Sequence, residues 1–367
     1  MEHLRIKSAV NANLQNTINR SLILHYVRKN TRSYRSEISR DLSLSLPAVS
    51  RAVDSLIQQG YLLEKKIVTK TGKQAYEVEI DSSLGVSLGV SLQPPYIMLG
   101  KMDMAGNLVE IEETDISEHA DSRQLQEHIT DLVDKHIPRS SSDPPVAAIC
   151  LSVPAAVERD QKRIYASLYS SMSELNLLHL LAERYRVPVF LENNENLCVL
   201  AEKYYQEGIP ENDVAFITIH HGIGAGLLLN GQLYLGKNGA AGEIGQQIVG
   251  IHPMPGINRT DTFETIASIH QIQQLALNSI HRGKGEEIFK AAGYSYQHIT
   301  HTLVSRLAAE GLPAAIEVLE NYAEMLSVGI GTLLVTINPE LVILGGRLCE
   351  LDNPHSLIIE PLKKQLA

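Results

Sequence analysis

The sequence is poor in cysteine. Cys150, Cys198 and Cys349 are its only three, far apart and in no Cys-x-x-Cys spacing. That excludes a disulfide framework and suits a reducing cytoplasm, with the thiols read as small buried hydrophobes. Long apolar runs are also lacking. No stretch reads as the ~20 apolar residues of a membrane span, and the N-terminus has no signal-peptide core. No membrane partner is therefore expected. Positive charge is scarce: 32 Lys+Arg stand against 42 Asp+Glu, a net charge of −10. Taken whole, that balance argues against nucleic acid.

The charge is unevenly spread. Residues 1–80 hold 13 Lys+Arg and 7 Asp+Glu, a balance of +6, which leaves −16 for the rest. A basic head on an acidic body lets the head alone meet phosphate. The 367 residues suffice for two or three domains, and 44% hydrophobic content with 25 Gly and 15 Pro is ordinary globular composition.

In the head, Leu14, Ile18, Leu22 and Tyr26 recur every four residues, which predicts a helix over 13–29 with those residues inward. A short helix follows over 36–42. In the next, Ser45 is a good N-cap, Pro47 falls in the first turn, and Gly60 closes the helix. Val49, Val53, Leu56 and Ile57 bury one face and leave Pro47, Ala48, Ser50 and Arg51 on the other. Small residues let such a helix enter a major groove, where an Arg reaches a base edge or a phosphate. Two strands around Thr71-Gly72, with Lys70 and Lys73 at the tip, complete a winged helix-turn-helix order. The expected DNA-contacting set is Arg35, Ser45, Pro47, Ala48, Ser50, Arg51, Lys70 and Lys73. The competing reading is a three-helix protein-interaction module.

In the body, 84–115 reads as strands with a Gly106-Asn107 turn, 122–137 as a helix, and "PPVAAICLSVPAAV" as a buried strand into a loop. Helices are predicted over 173–185 and 195–206, with a strand over 187–191 between them. "DVAFITIHHGIGAGLLLNGQLYLG" reads as strand, Gly-rich turn, strand, Asn230-Gly231 hairpin, strand. The last third is helical until "PELVILGGRL" gives a strand and a Gly-Gly turn. This order predicts an α/β body of two lobes.

Residues 222–246, "GIGAGLLLNGQLYLGKNGAAGEIGQ", with "LENNENLCVLAE" and "LVILGGRL", resemble the ROK family (repressors, open reading frames and kinases) in its regulator form. The resemblance covers nearly the full length. It implies an N-terminal winged helix-turn-helix (α+β), residues 1–80. A two-lobed body of the actin/hexokinase-like (ribonuclease H-like) sugar-kinase fold would follow, its lobes at 81–200 and 201–367. The C-terminal segment would pack back on the first lobe.

Measured against the family, the kinase parts are degraded. Its first phosphate turn, Asp-x-Gly-Gly-Thr, is here Ser91-Leu92-Gln93-Pro94-Pro95. Its second, Gly-Thr-Gly, is here His220-His221-Gly222. Its catalytic Asp aligns with Asn194, and an amide cannot assist the loss of a hydroxyl proton. The family's zinc site pairs a Gly-Glu-x-Gly-His histidine with three Cys. Gln246 replaces that histidine, the following segment has no Cys, and His252 alone cannot hold zinc. No catalytic residue, metal or cofactor is therefore expected. The ligand residues that the resemblance carries over are Asn193, Asn194, Glu243, Gln246 and Glu264. Amides and carboxylates can pair a sugar's hydroxyls, although Glu243 and Glu264 could equally serve as caps or ion-pair partners.

These readings converge on a cytoplasmic, sugar-responsive regulator of carbohydrate genes. It is expected to be a repressor that binds double-stranded operator DNA as a homodimer or higher homo-oligomer. The effector would be a sugar or sugar derivative in a cleft between the lobes. The alternatives are a body that only dimerises or binds a protein partner, and an active sugar kinase with a DNA-binding head.

Overall fold

The computed structural model describes residues 12–367 apart from 31, 69–73, 94, 117–120, 139, 141–142, 159–162, 168–176, 206–207 and 255–256. The chain divides into two compact units. The first takes 1–153, 169–192 and 205–207; the second takes 154–168, 193–204 and 208–367.

The first unit opens with helices α1 (Ala12–Asn30), α2 (Arg35–Asp41) and α3 (Leu46–Gln58) and the antiparallel strands β1 (Leu62–Val68) and β2 (Gln74–Ile80). They share a core of Ile23, Val27, Ile38, Val49, Val53, Leu56, Leu62 and Val78. The predicted stripe on α1 is off by one position. Ile23 and Val27 are buried, whereas Ile18 and Leu22 are 46% and 43% exposed. The apolar residues of α1 are dense enough to offer two overlapping stripes, and packing against α3 selects one. Ser33 pairs with Val78 through two backbone hydrogen bonds and extends the small sheet by one residue.

Beyond the head, β3 (Val86–Gln93), β4 (Tyr96–Asp103), β5 (Leu108–Asp115), β6 (Val146–Val153) and β9 (Val189–Asn193) form a sheet in the order β5-β4-β3-β6-β9. β3 alternates Val86, Leu88, Val90 and Leu92 inward, and runs parallel to β6. Helix α4 (Ser122–His136) starts on an Asp121 cap whose carboxylate accepts from the Gln124 N–H. Helix α5 (Leu177–Tyr185) precedes β9; the residues of its predicted first turns lie outside those described.

The second unit includes β7 (Ala155–Glu158) and β8 (Arg163–Ser167), a hairpin where a loop was expected. Its main sheet has the order β12-β11-β10-β15, from β10 (Val214–Ile219), β11 (Ile223–Leu229), β12 (Gln232–Leu233) and β15 (Leu341–Gly346). β10 and β15 are parallel and β10 and β11 antiparallel. Helix α6 (Asn194–Tyr204) packs on one face, where Val199, Val214 and Leu228 form a small core. The opposite face carries Ile217, Ile219, Ile223, Ala225 and Leu227 into the large core of the unit.

That core is completed by α7 (Phe263–Ala267), α8 (His270–His281), α9 (Glu286–Ala291), α10 (His301–Ala309), α11 (Pro313–Ile337) and α12 (Glu360–Leu366). A second unpredicted hairpin, β13 (Ile248–Met254) with β14 (Ile257–Thr262), precedes α7. The expectation that no segment resembles a membrane span needs correction: by length and composition α11 is such a helix. Leu319, Tyr322, Leu326 and Ile330 bury one face of it in the core of its own unit, the arrangement of a core helix.

Candidate functional sites

On the head, α3 begins at Ser45, whose extended backbone caps the helix although its hydroxyl makes no cap bond. Pro47 lies in the first turn, where its missing N–H leaves no helical bond unmade. Ser45, Pro47 and Arg51 are exposed, and Ala48 and Ser50 half-buried, so these five residues lie along one accessible face. Leu46 is also exposed there, an apolar contact the sequence reading passed over. Arg35 differs from the rest. Its guanidinium is spent on Asp54 (2.7 Å), Glu64 (2.8 Å) and the Ser50 carbonyl (3.3 Å), tying α2 to α3 and β1. As placed, it holds the recognition helix instead of offering a free cation to DNA. Lys70 and Lys73 lie outside the described residues.

All five expected ligand residues fall in the second unit. β9 ends at Asn193 and α6 begins at Asn194, so the two amides sit at a strand-to-helix junction. The Asn193 oxygen accepts from the Asn196 N–H (3.0 Å), and its amide nitrogen donates to the Ala155 carbonyl (3.2 Å). Asn193 is therefore the cap of α6 and its tie to β7. Asn194 is half-buried beside it.

Glu243, Gln246 and Glu264 come together through the backbone of β11. The Ala225 N–H donates to Gly242, and the Ile223 N–H donates to the Glu264 carboxylate at 2.9 Å. Gly242 has φ +89°, and a Cβ there would meet the Ala225 oxygen at 1.8 Å, so only glycine fits. Burial raises the Glu243 carboxyl above its ordinary range, and the Glu264 charge adds to the effect. Glu243 keeps solvent access at the residue level all the same. Gln246 is exposed and its N–H donates to the Glu243 carbonyl at 3.1 Å. The structural alternative for Glu264 is thus partly real, since one oxygen holds the start of β11.

The Gly-rich turn after β10 is occupied by imidazoles. His220 accepts from the Arg347 Nε at 3.0 Å, and His221 hydrogen-bonds His270 at the start of α8. The two adjacent rings meet edge to face, 4.5 Å between centroids. Burial, then His221 and Arg347, push His220 down to about 4, which fixes it as a neutral acceptor. His301 has a buried Nε2 with no hydrogen-bond partner, and burial lowers it too. Gly345 and Gly346 border this cluster at the end of β15, alongside Thr218 and Ile219. The first turn of the kinase pattern is here a tight hairpin, with Gln93 opposite Tyr96; Pro94 lies outside the described residues.

Among the described residues, no group of three His, Cys, Asp or Glu is arranged to hold a metal ion. The side chain of His252 falls outside them. Burial pushes the Cys150 and Cys198 thiols up to about 11, which keeps both protonated and unreactive at neutral pH.

Strand orders, lobe composition and the β10–β11 turn define a body of the actin/hexokinase-like sugar-kinase fold, preceded by a head compatible with a winged helix-turn-helix. The ROK family model matches residues 85–367, and the chain belongs to the ROK family. The xylose repressor of Bacillus subtilis (strain 168) is 24% identical over 356 residues, 95% of this chain and 86% of that protein. The transcriptional dual regulator NagC of Escherichia coli (strain K12) is 23% identical over 351 residues, 93% and 83%. Among solved structures, a ROK family transcriptional regulator, homolog of E. coli Mlc, superposes with a TM-score of 0.75 at 20% identity, covering 95% of this chain and 88% of that one. A ROK glucokinase from Streptomyces griseus, in complex with glucose and AMPPNP, gives 0.63 at 22% identity, covering 77% and 88%. The regulator match includes the head; the kinase match covers a share of the chain similar to that of the body.

Proposed function

We propose that the chain is a sequence-specific DNA-binding repressor of carbohydrate genes, acting in the cytoplasm as a homodimer and controlled by a sugar bound without chemistry. The observation that carries the reading is Asn194. The residue that would take a hydroxyl proton is an amide, in a chain that also presents an exposed helix face on a basic head. The imidazole-filled turn at His220-His221 supports the same conclusion, because it gives up the glycine backbone that lets phosphates approach closely. The family's regulators and kinases share one body fold, so the choice between the two activities is argued from these residues.

DNA contact is assigned to Ser45, Pro47, Ala48, Ser50, Arg51, Lys70 and Lys73, and sugar contact to Asn194, Glu243, Gln246 and Glu264, with Asn193 setting the junction. A sugar that binds the DNA-competent and DNA-incompetent states unequally changes operator affinity by that difference and no more. Relatives named xylose repressor, in Bacillus subtilis, and N-acetylglucosamine repressor, in Escherichia coli O6:H1, make those two sugars the first probes.

The test is fluorescence anisotropy on DNA from upstream of the protein's own gene, at one fixed salt concentration, with D-xylose, N-acetylglucosamine and their phosphates added singly. A change of about tenfold in affinity, ~1.4 kcal/mol of coupling, supports the reading. Tight DNA binding that no sugar alters favours a body that dimerises or meets a protein partner. Sugar-dependent ATP consumption would overturn the non-catalytic assignment.

A further inference from the structure

Three carboxyls gather around three consecutive residues of β11. The Glu264 carboxylate accepts from the Ile223 N–H at 2.9 Å. The Glu195 side chain, on the first turn of α6, lies against Gly224: a Cβ on that glycine would stand 3.0 Å from the Glu195 Cδ and 3.4 Å from its Oε1. The Ala225 N–H donates to the Gly242 carbonyl at 2.8 Å, which sets the next residue, Glu243, beside the other two. Gly245 brings the same loop onto Glu264, since a Cβ there would stand 3.2 Å from the Glu264 Oε2. All of these residues belong to the second unit. Among the described residues, none of the three carboxyls forms an ion pair with a Lys, Arg or His.

Carboxylates that stand together, partly stripped of water and without a counter-charge, destabilise one another. Two of the three carry that mark. Burial pushes Glu195 up to about 6, with the Glu243 charge adding to it, and burial followed by the Glu264 charge raises Glu243. Glu243 is exposed while Glu195 and Glu264 are half-buried, so a small molecule can reach the group past Glu243. The amides of the site, Asn194 and Gln246, are neutral and leave the negative charge standing. A neutral sugar can donate hydroxyl hydrogen bonds to these oxygens without opposing their charge. An ammonium group donates three hydrogen bonds and brings the opposite charge as well.

We propose that the ligand of this site is a sugar with a free ammonium group, a 2-amino sugar, whose ammonium is held by Glu195 together with Glu243 and Glu264. Glu195 is then a specificity-determining residue that selects the charged sugar. The proposal rests on reading these residues as the sugar site and adds the charge of the sugar.

The test is isothermal titration calorimetry on the full-length protein without DNA, at neutral pH, where the amine of such sugars is largely protonated. D-Glucosamine, D-galactosamine and D-mannosamine are each run beside the parent hexose and the N-acetyl derivative, with D-xylose as a further neutral sugar. The hexose exchanges the ammonium for a hydroxyl, and acetylation removes the charge. One amino sugar should bind at least about tenfold more tightly than both of its neutral counterparts. Added salt should weaken that binding and leave neutral sugars unaffected. Glu195→Gln keeps the shape and the acceptor but not the charge, and should shrink the preference severalfold; Glu243→Gln, at an exposed position, should act in the same direction.

A neutral sugar that binds as tightly as its amino counterpart overturns the proposal, as does a preference unchanged in both Gln variants. If only neutral sugars bind, the proposal fails and the sugar-site reading stands. If no sugar of either kind binds, both fail.

Discussion

His220 is the residue whose surroundings leave the clearest mark on solution behaviour. Its folded-state affinity for a proton is depressed to about 4 from 6.5, so the unfolded chain takes up the proton first. The neutral, Arg347-bonded ring contributes stability that is fully present above about pH 6.5 and is lost as pH falls toward 4. A melting-temperature series across that window should decline in the parent and decline less in His220→Asn. Glu195 has the opposite sign. Its raised affinity favours the folded state below the ordinary carboxyl value of 4.5, and the advantage fades as pH rises through about 6. Glu195→Gln should therefore gain stability relative to the parent at neutral pH and show no gain near pH 4.5. At Gly242 the constraint is steric. Gly242→Ala should destabilise by more than about 4 kcal/mol or prevent folding, read by denaturant unfolding, because positive φ and a carbonyl clash act together. Tyr322→Phe, which strands the Ala267 carbonyl without its 2.9 Å partner, should cost about 1 kcal/mol.

At the scale of the element, α3 separates two arginines that look alike in sequence. Arg51→Ala should weaken operator binding about tenfold with an unchanged melting temperature, since the side chain is exposed. Arg35→Ala should destabilise by about 1 kcal/mol, because Asp54 is largely solvated, lowering the melting temperature and reducing DNA binding only through the loosened helix. Parallel melts and anisotropy titrations distinguish the two. The difference was not legible beforehand: both are basic residues on a basic head, and only the fold brings Asp54 and Glu64 to one of them. The elements themselves were easier to read. Helices α3 and α4 carry their own caps and stripes, and the Asn230-Gly231 turn names its hairpin. The β7–β8 and β13–β14 hairpins escaped because short paired strands without strong alternation read as loops. The α1 stripe was misplaced because the periodicity admits two faces and the choice belongs to α3. Asn193 and Asn194 could be proposed from their pattern, whereas Glu195 lay inside that pattern unremarked, and only the fold brings its side chain against Gly224 of β11.

At the scale of the whole molecule, the +6 head and −16 remainder make DNA affinity a property of one end of the chain. Operator affinity should fall steeply with salt, and a plot of log affinity against log salt should flatten by about one phosphate contact for each DNA-contacting head lysine or arginine removed. Charge changes in residues 81–367 should leave that slope nearly unaltered. The second unit is threaded in a particular way. Its sheet is assembled from β10 and β11 in mid-chain and from β15 near residue 346, with α6 and the β7–β8 hairpin contributed from before residue 205. During synthesis α6 therefore emerges ahead of the sheet it covers. The edge of β10 that will accept β15 then stays open until residues 341–346 have been made. Residues up to β15 must be translated before this unit can close, so a ribosome stalled anywhere in the helical stretch between β14 and β15 holds out an apolar strand with one open edge. Cells making this protein should need chaperone cover late in translation, at a stage when the head has already left the exit tunnel and folded.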